Sequence, residues 1–125
     1  MPVISAADTP THELGTTRFT SLATPSRGST ETSVWVVEIA PHTPPTPHAL
    51  TREEIFVVLA GMAAVSIDGI PSTAHLGDAI VVPPRTQFEL SNAADDEVLR
   101  LLCCMPVGGQ GMVGDGDPFT PPWTQ

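Results

Sequence analysis

The sequence predicts an all-β domain, a sandwich or barrel built from antiparallel strands. Three observations carry this. Short apolar runs rich in β-branched residues recur at roughly ten-residue spacing. Glycine, proline and aspartate punctuate the gaps between them. No segment shows an apolar stripe of helical period. The 125 residues suit one domain, 1–125, with residues 1–15 as an N-terminal arm and 106–125 as a proline- and glycine-rich C-terminal tail.

The elements follow in chain order. Met1 to Thr11 is a polar lead-in, expected as loop or a loosely docked arm. A short strand is expected over Thr16 to Ala23, with Arg18 and Phe19 on opposite faces. Thr24 to Thr32 is turn-rich and reads as loop. Val34 to Ala40 is a strand whose alternation sets Trp35, Val37 and Ile39 against Val34, Val36 and Glu38. Glu38 either lines a polar cavity or faces solvent. Pro41 to Pro47 is an extended edge or loop, because proline fixes φ and removes backbone donors.

Ile55 to Ala60 is β-branched and aromatic, and Gly61 closes it. Met62 to Asp68 is its partner strand, ended by the Asp68-Gly69 turn signal. Ile70 to Leu76 returns toward Gly77-Asp78. Ala79 to Val82 is a short strand stopped by Pro83-Pro84. Thr86 to Leu90 is a further strand, Asp95 to Glu97 a charged loop, and Val98 to Met105 the last strong strand. The tail is expected to form no regular element. Its Phe119 and Trp123 suggest that it drapes over its own barrel or over a neighbouring subunit.

Composition excludes several functions. With 14 acidic residues, five arginines and no lysine, the net charge is −9. No basic patch can be assembled against a phosphate backbone or an anionic membrane surface, so neither nucleic acid nor membrane is an expected partner. The missing lysine removes Schiff-base and P-loop chemistry, and the missing tyrosine removes a phenolic acid or nucleophile. No basic stretch precedes an apolar run at the N-terminus, and no run reaches membrane-spanning length. Cys103 and Cys104 are adjacent and would point to opposite faces of a strand, which suits neither a disulfide nor a shared metal. A reducing cytoplasm is the expected compartment.

Two stretches carry a family resemblance. Pro41 to Gly61 (PHTPPTPHALTREEIFVVLAG) resembles the first motif of the cupin superfamily, G-x5-H-x-H-x3,4-E-x6-G. Glu54-x6-Gly61 matches its second half. His48 falls near the second histidine, five residues before Glu54, and Thr46 stands at the first. Gly77 to Asn92 (GDAIVVPPRTQFELSN) resembles the second motif, G-x5-P-x-G-x2-H-x3-N. Gly77, Pro83 and Asn92 match in register, Arg85 replaces the glycine, and Phe88 stands where the third histidine would be. The resemblance implies a double-stranded β-helix, or jelly-roll barrel, of two antiparallel sheets. It also implies a pocket inside the barrel that includes Phe56, Val58, Phe88, Leu90 and Leu102.

His48 and Glu54 are the candidates for chemistry, since either can move a proton or hold a metal at a barrel mouth. In the bland alternative, His48 is a loop histidine and Glu54 a structural acceptor. Glu53 takes the place of Glu54 only if a bulge intervenes. Arg100, mid-strand among apolar neighbours, either binds an acidic substrate in the pocket or pairs with Glu38. His12 and His75 are isolated. No cofactor is expected. A divalent transition metal is the alternative, with His48, Glu54 and a folded-back His42 as its ligands.

The function read from this is a small-molecule enzyme that works by proton transfer, of isomerase, cyclase or lyase type. His48 would be the acid or base, and Glu54 would orient it or act as its partner. The alternatives are a non-catalytic small-molecule-binding module, a metal-dependent oxygenase, or a structural dimer with a filled barrel. The expected partners are a small, partly apolar organic molecule and a second copy of the chain, as a homodimer.

Overall fold

In the computed structural model, which describes residues 2–125, nearly all regular structure is strand. The strands are β1 (Thr11–Leu14), β2 (Thr17–Ala23), β3 (Thr32–Ile39), β4 (Ala49–Leu50), β5 (Glu54–Ala60) and β6 (Ala63–Ile67). They continue as β7 (Ile70–Ala74), β8 (Ala79–Val82), β9 (Phe88–Asn92), β10 (Leu99–Pro106) and β11 (Gly111–Met112). Single 3-10 turns occupy Ala6–Asp8, Pro25–Arg27 and Pro122–Thr124. None of these is a helix long and apolar enough to cross a membrane.

All strand pairing is antiparallel. One sheet has six strands in the order β1-β2-β3-β10-β5-β8. The other face is a three-stranded sheet, β7-β6-β9, and a two-stranded ribbon, β11-β4. A single bridge, His48 opposite Phe88, joins the ribbon to β9. The long strands alternate between the two faces as period-2 geometry requires. Trp35, Val37 and Ile39 of β3, Phe56 and Val58 of β5, and Leu101, Cys103 and Met105 of β10 are buried in the shared core with Phe88 of β9. This is the jelly-roll architecture that the resemblance implied.

Three segments differ from expectation. The N-terminal arm does not extend to residue 15, because β1 (Thr11–Leu14) pairs with β2 (Thr17–Ala23) through a tight hairpin, Leu14 facing Thr17. Polar residues at His12 and Glu13 hide this strand, since an edge strand buries little. The tail is not wholly irregular: Gly111 and Met112 pair with Leu50 and Ala49. It drapes over its own barrel, held by Ser21 Oγ donating to the Trp123 carbonyl (2.8 Å) and Ser33 Oγ to the Thr124 carbonyl (3.0 Å). Leu102 and Arg100 do not point inward. Leu99, Leu101, Cys103 and Met105 are the buried set of β10, so both lie on the outer face. The run VLRLLCCM is apolar on both faces, and a one-residue change of phase turns every side chain over. Arg100 sits opposite Glu38, which is half-buried on that outer face.

Two positions of the resembling motifs have clear local causes. Gly61 turns β5 into β6 at φ 80°, and a Cβ there would stand 2.8 Å from the Val98 carbonyl oxygen. Arg85, in the place of the second motif's glycine, adopts φ 58°. The turn demands the left-handed conformation that glycine enters freely and an L side chain enters at a cost.

Candidate functional site

The inward side chains of the two faces do not meet everywhere. They leave a cavity of about 230 Å³. Its floor and walls are apolar: Trp35, Val37 and Ile39 from β3, Leu101 and Met105 from β10, Phe56 from β5, Phe88 and Leu90 from β9. Thr43 to Thr46 form one side of the mouth. The tail forms the other, through Val113, Phe119, Pro121 and Trp123. Trp123 lies flat on Phe19, ring centroids 3.6 Å apart and planes within 9°. Two ionisable groups stand on this wall, His48 and Glu54.

His48 is positioned by backbone and ring together. Its N–H donates to the Phe88 carbonyl (3.0 Å), and the Phe88 N–H donates back (2.8 Å). Its ring packs on that of Phe88, centroids 4.3 Å apart. Its Nδ1 lies 2.8 Å from the Thr46 carbonyl oxygen. A carbonyl can only accept, so Nδ1 carries the hydrogen. In the neutral ring this leaves the Nε2 lone pair unused by any protein donor among the described residues. Phe88 is fully buried and leans on Phe56, 5.9 Å away, so the imidazole rests on a packed aromatic base.

Glu54 opens β5 and shares the inward face of Phe56 and Val58. It is 5% exposed, and its carboxyl has no hydrogen-bond partner among the described residues. Burial raises its pKa from 4.5 to about 8, because the charged form loses its hydration. At neutral pH it is a carboxylic acid, able to donate as well as accept. Neighbouring Glu53 is exposed. Burial, with Glu54 and Cys104 adding to it, also pushes the Cys103 thiol well above its ordinary value. Burial and Glu54 raise that of Cys104. Neither is a thiolate nucleophile at neutral pH.

The sequence-predicted residues therefore divide. His48, Glu54, Phe56, Phe88 and Leu90 line the cavity. Val58 is buried in the core but is not on the cavity wall. Leu102 and Arg100 face outward and are no part of it. Glu54 does not orient His48: no hydrogen bond or ion pair joins them, and the Thr46 carbonyl does that work. His75 is on the surface, 3.8 Å from Asp78, and His12 lies in β1 away from the cavity wall. The wall residues missed from sequence come from β3, the tail, β1, β2, β4, the proline segment and the inward face of β10. The uniformly apolar face of Trp35, Val37 and Ile39 was the signal for β3.

A transition metal needs three or four protein donors in tight geometry. His42 is exposed and 4.0 Å from Asp95, not folded back toward His48. Phe88 fills the third histidine's position with a ring that has no nitrogen. Among the described residues, no three His, Cys, Asp or Glu side chains gather as an ion would require. The residues present do not fit a resident transition metal.

Comparison with known proteins agrees with this fold. Residues 35–105 match the model of the cupin domain. An uncharacterized protein of Methanocaldococcus jannaschii, MJ1618, is 33% identical over 54 residues, which cover 43% of this chain and 42% of that protein. The chain thus aligns with less than half the length of this curated relative. Among solved structures, an RmlC-like cupin from Shewanella frigidimarina superposes with a TM-score of 0.70 at 16% identity, over 82% of this chain and 86% of the other. The oxalate decarboxylase of Lactobacillus farciminis, solved as a formate complex, gives 0.73 at 21%, over 85% and 33%. The salicylate 1,2-dioxygenase of Pseudoaminobacter salicylatoxidans, solved with gentisate, gives 0.71 at 14%, over 86% and 31%. At these identities the structural likeness speaks for the fold alone. The family model spans more than half of the sequence and takes in both motif stretches: the chain belongs to the cupin domain family.

Proposed function

We propose that this cupin is a small-molecule enzyme that works by proton transfer, of isomerase, cyclase or lyase type, on a small and partly apolar substrate held in the barrel. One observation carries the reading. An apolar cavity places two ionisable groups of different character on its wall, an imidazole with a free Nε2 and a buried, neutral carboxyl. Environments that separate the roles of two titratable groups supply a base and an acid at the same pH. His48 Nε2 takes a proton from carbon, and the Glu54 carboxyl hydrogen-bonds the substrate oxygen on which charge develops.

The donor set around His48 supports a reaction without a resident metal, and no step here is assigned to one. The free, neutral thiols fit a reducing compartment such as the cytoplasm. We further propose a homodimer formed through the outer face of the six-stranded sheet. There Val34, Ile55, Val57, Leu102 and Cys104 are half-buried, and Leu59 and Val81 are exposed, an apolar face of the kind that marks an interface.

The test is hydrogen exchange at carbon. In D₂O, single-ring ketones such as phenylacetone should lose their α-proton signals faster with the protein than with buffer, and dialysis against a chelator should not abolish this. His48→Ala should slow the exchange about 100-fold, the contribution of a positioned base, with an unchanged melting curve as control. Exchange at the buffer rate across the panel, or full activity in His48→Ala, would instead favour a non-catalytic binding module.

A further inference from the structure

We propose that the cavity selects uncharged single-ring molecules bearing a hydrogen-bond acceptor, which seats on Glu54, and rejects their carboxylate counterparts. The inference rests on the reading of the cavity as the working site, and it names the substrate class.

The first argument is charge. The chain has no lysine, and its five arginines all lie off the cavity wall. Arg18, Arg52, Arg85 and Arg100 are exposed. Arg27 spends its Nε and both terminal nitrogens on the carbonyls of Leu22, Asp8 and Ser5. The wall holds no fixed cation, and its one acidic group is Glu54. A carboxylate entering this space would lose its hydration with no arginine or lysine to meet it, His48 being the one wall group able to take up a positive charge, and this costs several kcal/mol even after relaxation. An uncharged ligand meets no such penalty.

The second argument is the unmet carboxyl. Glu54 is 5% exposed, opens onto the cavity and has no protein partner among the described residues. The carboxyl faces the cavity instead of a protein partner, so a ligand carbonyl or ether oxygen can accept its hydrogen.

The third argument is size and shape. An apolar cavity of about 150 Å³ holds one benzene ring. The 230 Å³ here admits one six-membered ring and a few further atoms. Phe56, Phe88 and the stacked Phe19–Trp123 pair offer ring faces and edges to such a ligand.

Three probes of similar size separate these arguments: acetophenone, ethylbenzene and benzoate. Binding at pH 6.5 can be followed by fluorescence of the chain's two tryptophans, Trp35 and Trp123, both on the wall. Acetophenone should bind about three- to ten-fold more tightly than ethylbenzene, the worth of one hydrogen bond. Benzoate should bind at least about 100-fold more weakly than acetophenone. Glu54→Gln keeps an N–H donor and should keep the preference for the ketone. Glu54→Leu should lose it while still binding ethylbenzene, which also shows that the variant is folded. Benzoate binding as tightly as acetophenone would overturn the proposal, as would an unchanged ketone preference in Glu54→Leu or no binding of either neutral probe. Because binding is read and not turnover, acetophenone that binds without any α-proton exchange counts against the proton-transfer reading and leaves the selectivity intact.

Discussion

Glu54 should make the stability of this protein fall with rising pH, and Glu54→Gln should remove that dependence. The native carboxyl titrates near 8, whereas an unfolded glutamate titrates near 4.5. Between these values the native state holds a proton that the unfolded state has released. Stability therefore declines across that window. The contribution is fully present below pH 4.5 and is lost as pH rises through about 8. At 1.36 kcal/mol per pH unit, the rise corresponds to on the order of 5 kcal/mol. Unfolding entropy of about 2.1 cal/mol/K per residue turns this into a Tm difference of roughly 15–20 °C for a chain of this length. The assay is a pair of thermal melts from pH 5 to pH 9. The other 13 carboxylates and the four histidines are common to both proteins, so they cancel in the comparison. Wild type should fall behind Glu54→Gln by most of this amount between those limits. Parallel curves would refute the neutral, buried carboxyl on which the proposed acid role depends.

Three further outcomes follow from the fold. Arg85→Gly should stabilise the protein by about 0.5–1 kcal/mol, because the left-handed backbone costs an exposed arginine more than it costs glycine; a denaturant titration with no gain would contradict this. Trp123→Ala should destabilise by about 2–3 kcal/mol through loss of the Phe19 stack, and should make the cavity more accessible to a small quencher of Trp35 fluorescence. Light scattering at micromolar concentration should give twice the 13.1 kDa chain mass; a monomer mass would sink the sheet-to-sheet dimer.

Much of the fold was legible because its punctuation is local. Gly61 and the Asp68-Gly69 turn mark bends whose backbone has positive φ, and composition alone can flag such positions. Alternation was readable in β3, where the face of Trp35, Val37 and Ile39 separates from that of Glu38, but it leaves open which of the two is the outer one; the structure places Glu38 outside. It failed in β10, where both faces are apolar. There the resemblance implied Leu102 inside, and Arg100, in phase with it, stood open between the pocket and a pair with Glu38; both face outward. The site was half legible. His48 and Glu54 reach the cavity, but what orients His48 is the Thr46 carbonyl, a backbone atom that no side-chain motif displays. The tail's part in closing the mouth was hidden for a different reason. Trp123 reaches Phe19 across about a hundred residues of chain, a contact made by tertiary packing and not by any local pattern.

The central claim is that His48 and Glu54 act on one ligand in one cavity. A crystal structure with acetophenone bound tests it most directly. The account predicts the ketone oxygen within about 3 Å of the Glu54 carboxyl, and the methyl carbon within about 3.5 Å of His48 Nε2. A ketone whose oxygen points to His48 with Glu54 left unpaired, or one bound outside the barrel, would contradict it.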